Sequence, residues 1–357
     1  MSEEAVMGPQ SAGMTLRIGV AYDLRSHYLG LGYTEEQTAE LDSPATIDAI
    51  LGALSELGHL PVRIGNAGEL ARRLVDGERW DLVFNITEGL YGLGREALVP
   101  AVLDAHRIPY TFSDPCVMAI SLHKGFTKHI LRDAGIATPD FVLLREPVEI
   151  DSVDLPFPLF AKPVAEGTGK GIDGASRIET SRELHRRCGE LLERYHQPVL
   201  VERYLPGREF TVGIIGTGTH AVALGTLEII PASPVQQGVY GYLSKERCEQ
   251  LVRYRSAAGG AIRRVEDIAL EVWNVLGCRD AGRVDVRMDE NGSPQVLEVN
   301  PLAGLHPTHS DLPMIASAAG MSYRELIGRI VESALSRIEA YPAEGVPGTF
   351  SSNSILV

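Results

Sequence analysis

The chain is short of the residues that build disulfide-stapled or metal-clustered proteins. Its four cysteines, Cys116, Cys188, Cys248 and Cys278, lie far apart and never form a Cys-x-x-Cys pair. That spacing supplies neither a disulfide framework nor a zinc site, and it suits a reducing cytosol. None of the 10 histidines pairs at metal-ligand spacing. His306 and His309 lie beside Thr308 and Ser310, but without a nucleophile elbow or partnered acid a hydrolytic pair is disfavoured. Basic residues are outnumbered, 33 against 47 acidic, giving a net charge of −14. Phosphate contacts with nucleic acid need Lys/Arg clusters, so no nucleic-acid partner is expected. A small phosphorylated ligand, held by a few local cations and one metal, stays compatible with that charge. No stretch approaches the roughly 18 apolar residues of a membrane span. The N-terminal MSEEAVMGPQSAGMT is acidic and polar, with no apolar signal core. A cytoplasmic protein without a membrane partner is the expectation.

What the chain does contain is an ordinary globular mixture, 44% hydrophobic and 22% charged over 357 residues, enough for two or three domains. RIGVAY (Arg17–Tyr22), Val62–Ile64 and DLVFN (Asp81–Asn85) read as strands. They alternate with helical patterns at Pro44–Gly58 and Glu96–His106, which predicts an open α/β layer over residues 15–114. One helix is predicted over MAISLHKGFTKHILRDAG, then PFPLFAKPV, a glycine-rich loop, a helix over Ser181–Tyr195 and PVLVERYLPGREFTVGII. Strands around Ala221–Ile230, a helix around Arg264–Leu276 and a closing helix near Tyr323–Arg337 follow. The Gly/Ser/Pro-rich end, residues 343–357, reads as a loose tail.

Two motifs carry chemistry. GRVDVR (Gly282–Arg287) and PQVLEVNP (Pro294–Pro301) flank MDENGSP, whose Asn-Gly is a hairpin signal. If Met288 pairs with Gln295, Asp285 faces Glu298 and Arg283 faces Asn300, all on one side of the sheet. Hard oxygen ligands without His or Cys suit Mg²⁺; a solvated hairpin is the alternative. AKPVAEGTGKGI (Ala161–Ile172) places Gly167, Gly169 and Gly171 after Lys162, and exposed backbone N–H groups there can wrap phosphate oxygens. A flexible surface turn explains the glycines equally well. Glu202 and Glu209 flank a strand exit able to take an adenine and a ribose, or they are plain surface acids. Lys124 and Lys128, four apart on one helical face, read singly as solvated.

In order and spacing, DLVFNITEG, IPYTFSDP, HKGFTKHILRDAGIATPDF, PFPLFAKPVAEGTGKGI, VLVERYLPGREFTV, GRVDVR, VLEVNPLAGL and HSDLPMIASAAGMSY resemble the ATP-grasp superfamily. More narrowly, they resemble the D-alanine–D-alanine ligase family, from about Leu16 to Arg337. The resemblance implies a three-domain α/β ATP-grasp fold: an N-terminal pre-ATP-grasp domain (15–114), a central subdomain (115–213) and a C-terminal subdomain with a Mg²⁺ site (214–342). It implies ATP-dependent amide ligation through an acyl phosphate, with ATP and Mg²⁺ (Mn²⁺ as substitute), small amino-acid or carboxylate substrates, and a homodimer by family analogy. Lys124 and Lys162 match phosphate-binding lysines, and Glu166, Gly167, Gly169 and Gly171 match the phosphate loop. Glu202 and Leu205 match adenine contacts, Glu209 the ribose acceptor, and Lys245 a mobile-loop lysine. Asp285, Glu298 and Asn300 match metal ligands. Arg283 and the Gly304 N–H match groups holding the tetrahedral intermediate, Thr168 stands where a loop Ser is usual, and Ser310 matches a substrate-carboxylate contact.

The departures concern substrate. Glu88-Gly89 stands for the usual His-Gly, His123 for an Asp, Glu246 for a Tyr, NPLAGL for NTLPGM and Asp311 for a Leu. GYTEEQTAELDSP leaves Glu35, Glu36 or Glu40 as amine-binding candidates. ATP chemistry is therefore expected with a non-alanine substrate, either bearing an extra amino, guanidino or hydroxyl group near Glu88 and Asp311 or built on a larger scaffold. Asp311 capping a helix is the competing explanation. A strict D-alanine–D-alanine ligase and a non-catalytic ATP-binding regulator are the two alternatives.

Overall fold

The computed structural model describes residues 14–231, 252–257 and 259–340. Lys245, Glu246, Cys248 and the tail 343–357 lie outside the described residues. Strands β1 (Arg17–Tyr22), β2 (Leu60–Gly65) and β3 (Leu82–Ile86) form a parallel sheet in the order β2-β1-β3. Every residue of β3 is buried, as expected of a parallel strand covered on both faces. The helix Pro44–Glu56 starts where Ser43 Oγ accepts from Thr46 N at 3.2 Å and Pro44 occupies its first turn. Its Ile47, Ile50 and Leu54 share a core with Ile18 and Phe84, and also with Leu312, Leu326, Ile327 and Ile330. The last helices, Asp311–Ala318 and Tyr323–Ala340, thus fold back onto the N-terminal layer.

A second, antiparallel sheet contains β4 (Phe141–Leu144), β5 (Leu159–Pro163), β6 (Arg177–Ile178) and β7 (Val199–Arg203), ordered β4-β7-β5-β6. The helix Ser181–Tyr195 backs it, started by a reciprocal cap between Thr180 and Glu183. The third sheet, also antiparallel, holds β8 (Glu209–Ile215), β9 (Val222–Pro231), β10 (Val252–Ser256), β11 (Ala281–Met288) and β12 (Pro294–Asn300). Its order is β10-β9-β8-β11-β12. Trp273, Val265 and Val272 of the helix Gly260–Leu276 cover the apolar face of β8 and β11. The division expected between residues 213 and 214 falls inside β8; the chain changes sheet earlier, between β7 and β8.

Two local expectations are revised. The single helix predicted through His123 is two, Pro115–Leu122 and Lys124–Asp133. His123 leaves helical geometry, its Nδ1 accepts from Phe126 N at 3.1 Å, and its ring stacks on Phe126. A histidine thus performs the N-cap role usual for Asp. In the hairpin, Met288 pairs with Pro294 rather than Gln295. A β-bulge at Leu297 takes up the extra residue, so beyond it Asp285 still faces Glu298 and Arg283 still faces Asn300.

Candidate active site

Between the second and third sheets lies a cleft. Lys124, Lys162, Glu166, Gly167, Gly169, Glu202, Leu205, Glu209, Arg283, Asp285 and Glu298 line it. Strand alternation places Ala161 in the core and turns Lys162 into the cleft. Lys162 Nζ and Lys128 Nζ each lie 2.9 Å from a different oxygen of Glu202. Lys128 also donates to Thr138 Oγ1 at 2.7 Å and is 1% exposed, so it is no solvated lysine. Burial pushes Lys128 below its ordinary pKa despite Glu202. Burial acts on Lys162 too, but Glu202 and Glu298 outweigh it and raise that amine. Burial would raise Glu202, yet the two lysines hold its carboxyl below the usual range. Expected to meet an adenine amino group, Glu202 here turns both oxygens to lysines. Lys124 Nζ donates to Glu166 O at 2.7 Å and lies 3.6 Å from Glu298. Glu209 pairs with Arg287 at 3.1 Å.

The hairpin residues converge at the inner end. Asn300 Nδ2 donates to Asp285 Oδ2 at 3.2 Å, and Arg283 lies 3.2 Å from Asp285 and 3.1 Å from Asp311. Among the described residues no group of three or more His, Cys, Asp or Glu is placed to hold a metal. Two carboxylates and an amide form a hard, incomplete set, which fits a Mg²⁺ whose other positions go to water and phosphate.

A second cavity, about 330 Å³, adjoins the first; Gly167, Arg283 and Asp311 line both. Thr168, Asn300, Gly304, Ser310 and Glu88 line it, together with Glu40, Asp42 and Glu96. A β-carbon on Gly304 would stand 2.8 Å from Ser310 Oγ, so glycine permits this close turn. Ser310 Oγ accepts from His306 N at 3.0 Å. Asp311, in the first turn of its helix, is held against Arg283 rather than turned outward. Burial, with Glu96, Glu40 and Asp42 nearby, pushes Glu88 well above the carboxylate range. Burial likewise lifts Glu96 to about 7. Of the three amine-binding candidates, Glu35 pairs with Arg25 at 2.6 Å and Glu36 with Arg194 and Tyr195; Glu40 alone of them lines the cavity.

Read from sequence, Lys128 is a solvated lysine, and Asp42, Glu96 and Arg95 have no site role. Each becomes a site residue through distant packing, and among them only the four-residue spacing of Lys124 and Lys128 offered a local signal; Lys170 lies in the glycine-rich loop itself.

A cleft between two antiparallel sheets, bordered by a glycine-rich loop and an acidic hairpin, defines an ATP-grasp ligase. Residues 130–332 match the family described as D-ala D-ala ligase C-terminus. An uncharacterized protein y4sG of Sinorhizobium fredii is 31% identical over 321 residues, covering 84% of this chain and 90% of the relative. A D-alanine–D-alanine ligase of Aquifex aeolicus is 33% identical over 285 residues, covering 79% and 92%. The crystal structure of a Bacillus anthracis D-alanine–D-alanine ligase complexed with ATP superposes with TM-score 0.68 at 24% identity, covering 91% of this chain and 99% of that one. The chain belongs to the D-alanine–D-alanine ligase family and is an ATP-dependent ligase acting on small molecules. Among the described residues no helix is long and apolar enough to cross a membrane.

Proposed function

We propose that the chain joins a carboxylate to an amino-acid amine in the second cavity, using ATP held in the first. The observation that carries this reading is the shared wall: Arg283 faces both cavities, where a phosphoryl group leaving one would meet a carboxylate in the other. A carboxylate oxygen is a poor leaving group, so it attacks the γ-phosphorus; the bond to ADP breaks and an acyl phosphate forms. The amine then attacks the acyl carbon, and phosphate departs with the former carboxylate oxygen. Lys124, Lys162 and the N–H groups of Gly169 and Gly171 hold the phosphates, the Gly167 N–H being taken by Glu40, with Leu205 and Glu202 near adenine and Glu209 at the ribose. Arg283 and the Gly304 N–H stabilise the oxyanion, while Thr168 and Ser310 orient substrate. Asp285, Glu298 and Asn300 would hold Mg²⁺, which supplies charge neutralisation on the phosphoryl oxygens.

The substrate is proposed to be other than alanine. Glu88, Glu96 and Asp42 give the cavity an acidic side; Arg95 offsets burial only in part at Glu88 and Glu96, and a buried carboxylate whose charge is not fully met is costly. A substrate carrying an amino, guanidino or hydroxyl group relieves that cost. Asp311 supports this less than Glu88 does, because Arg283 already neutralises it. ADP release assayed against D-alanine and a panel of polar and basic amino acids, with new amides read by mass spectrometry, tests the proposal. Efficient D-alanyl-D-alanine synthesis, kcat/KM of about 10⁴ M⁻¹s⁻¹ or more, would instead establish the strict ligase of the curated relatives.

A further inference from the structure

Glu40 belongs to the N-terminal layer, yet its carboxylate grips the phosphate loop of the central sheet. One oxygen accepts from Gly167 N; the other lies 2.9 Å from Arg95 and 3.2 Å from Lys170. Arg95 ties the same group to the loop's entry, donating to Ala165 O at 2.8 Å. Lys170 completes the ring by pairing with Glu166 at 2.5 Å. All three charged side chains are buried. Although burial opposes it, Arg95 and Lys170 pull the Glu40 carboxyl down to about 2.

The glycines of the loop have two different explanations. Gly169 and Gly171 adopt φ of 69° and 70°, where glycine is favoured. Gly167 has no such need; a β-carbon there would stand 2.5 Å from Glu40 Oε1. Its lack of a side chain serves the approach of Glu40. Next to it, Thr168 sits at φ 50°, a strained conformation for a β-branched residue, which persists only when its surroundings enforce it. Glu40 contacts flank it, at Gly167 and at Lys170.

We propose that Glu40 is a positioning residue: through Gly167, Arg95 and Lys170 it sets the glycine-rich loop in its phosphate-receiving shape before nucleotide arrives. The inference rests on the nucleotide reading of the first cleft. Glu40 lines the second cavity and not the first, so it acts on ATP only through the loop. Pre-setting the loop spares ATP the entropy of ordering it.

The test uses the full chain and two readouts. Hydrogen exchange of residues 166–171 is measured without nucleotide, and the affinity for a non-hydrolysable ATP analogue with Mg²⁺ is measured by calorimetry. Glu40→Gln keeps the side chain's shape and one acceptor but removes its charge; loop protection should fall at least tenfold and the analogue's Kd rise at least fivefold. Exchange of the β8–β11 core should stay as in the wild type, which separates loop release from general loosening. Arg95→Met removes an opposite charge at a residue that lines neither cavity and should give the same pattern, carrying the test if Glu40→Gln fails to fold. The double variant should be no worse than either single one. Wild-type protection and affinity in both variants would overturn the proposal. So would lost protection with unchanged affinity, which would make the contact purely structural. Failure of the wild-type chain to bind the analogue would overturn the nucleotide reading itself, an outcome distinct from these.

Discussion

Removing the Glu202 carboxylate should unsettle the fold more than the nucleotide site. Lys128, Lys162 and Glu202 are 1%, 6% and 3% exposed, and Glu202 is the close counter-ion of both lysines. Glu202→Gln keeps the volume and leaves two ammonium groups facing an amide. Breaking one buried pair by losing a partner costs about 3–5 kcal/mol. Two pairs break here, yet the cost should stay near that range, because Lys128, already depressed by burial, can release its proton. The pH dependence follows. Glu202 has a folded pKa below its unfolded value, so its contribution is present above the unfolded pKa and lost as pH falls through the folded one. In the variant, a lysine depressed in the folded state gains relative stability as pH rises toward its unfolded pKa. The gap between wild type and variant should therefore be widest near neutrality and shrink at both extremes. Urea titrations at several pH values measure it, with Trp80 in the N-terminal core and Trp273 behind the third sheet as separate reporters. A neutral-pH difference under about 1 kcal/mol, the range of exposed pairs, would refute the reasoning.

Asp285→Asn and Glu298→Gln should each abolish turnover without unfolding the chain, because each removes one of two carboxylates proposed to hold Mg²⁺; near wild-type rates in saturating MgATP would remove the assignment. Asp280→Ala should destabilise by about 3–5 kcal/mol, since this buried carboxylate pairs with Arg337 at 2.6 Å and accepts from Phe112 N at 2.7 Å; urea midpoints check it. Burial and Asp23 push Asp42 up to about 7. A raised acid binds its proton more tightly when folded, so it lowers stability as pH rises from its unfolded pKa through 7. Asp42→Asn should accordingly gain Tm over wild type at pH 8 and little at pH 5, and a pH-independent difference would contradict the shift.

Periodicity and turn chemistry by themselves determined most of the elements. RIGVAY and DLVFN have apolar centres, Ser181–Tyr195 has its Thr180 cap, and Asn291-Gly292 marks the hairpin joining β11 and β12. Ordered together, the glycine-rich loop and the LEVNP strand were enough to indicate the family. Local pattern could not decide the break at His123, because histidine caps a helix only when its ring finds a partner such as Phe126. Nor could it place the bulge at Leu297, which lets an off-by-one pairing at the turn reach the expected pairing at the metal face. Charge burial was the least legible. Lys128 and Glu202 read as surface residues one at a time, since a charge is usually solvated, and Glu40 reads only as one of three amine-binding candidates. Only folding brings Glu40 to Gly167, 127 positions away, and Lys128 to Glu202, and only there do opposite charges make burial affordable. The sequence alone thus determined which chemistry the chain carries, and tertiary contact decided which side chains hold that chemistry in place.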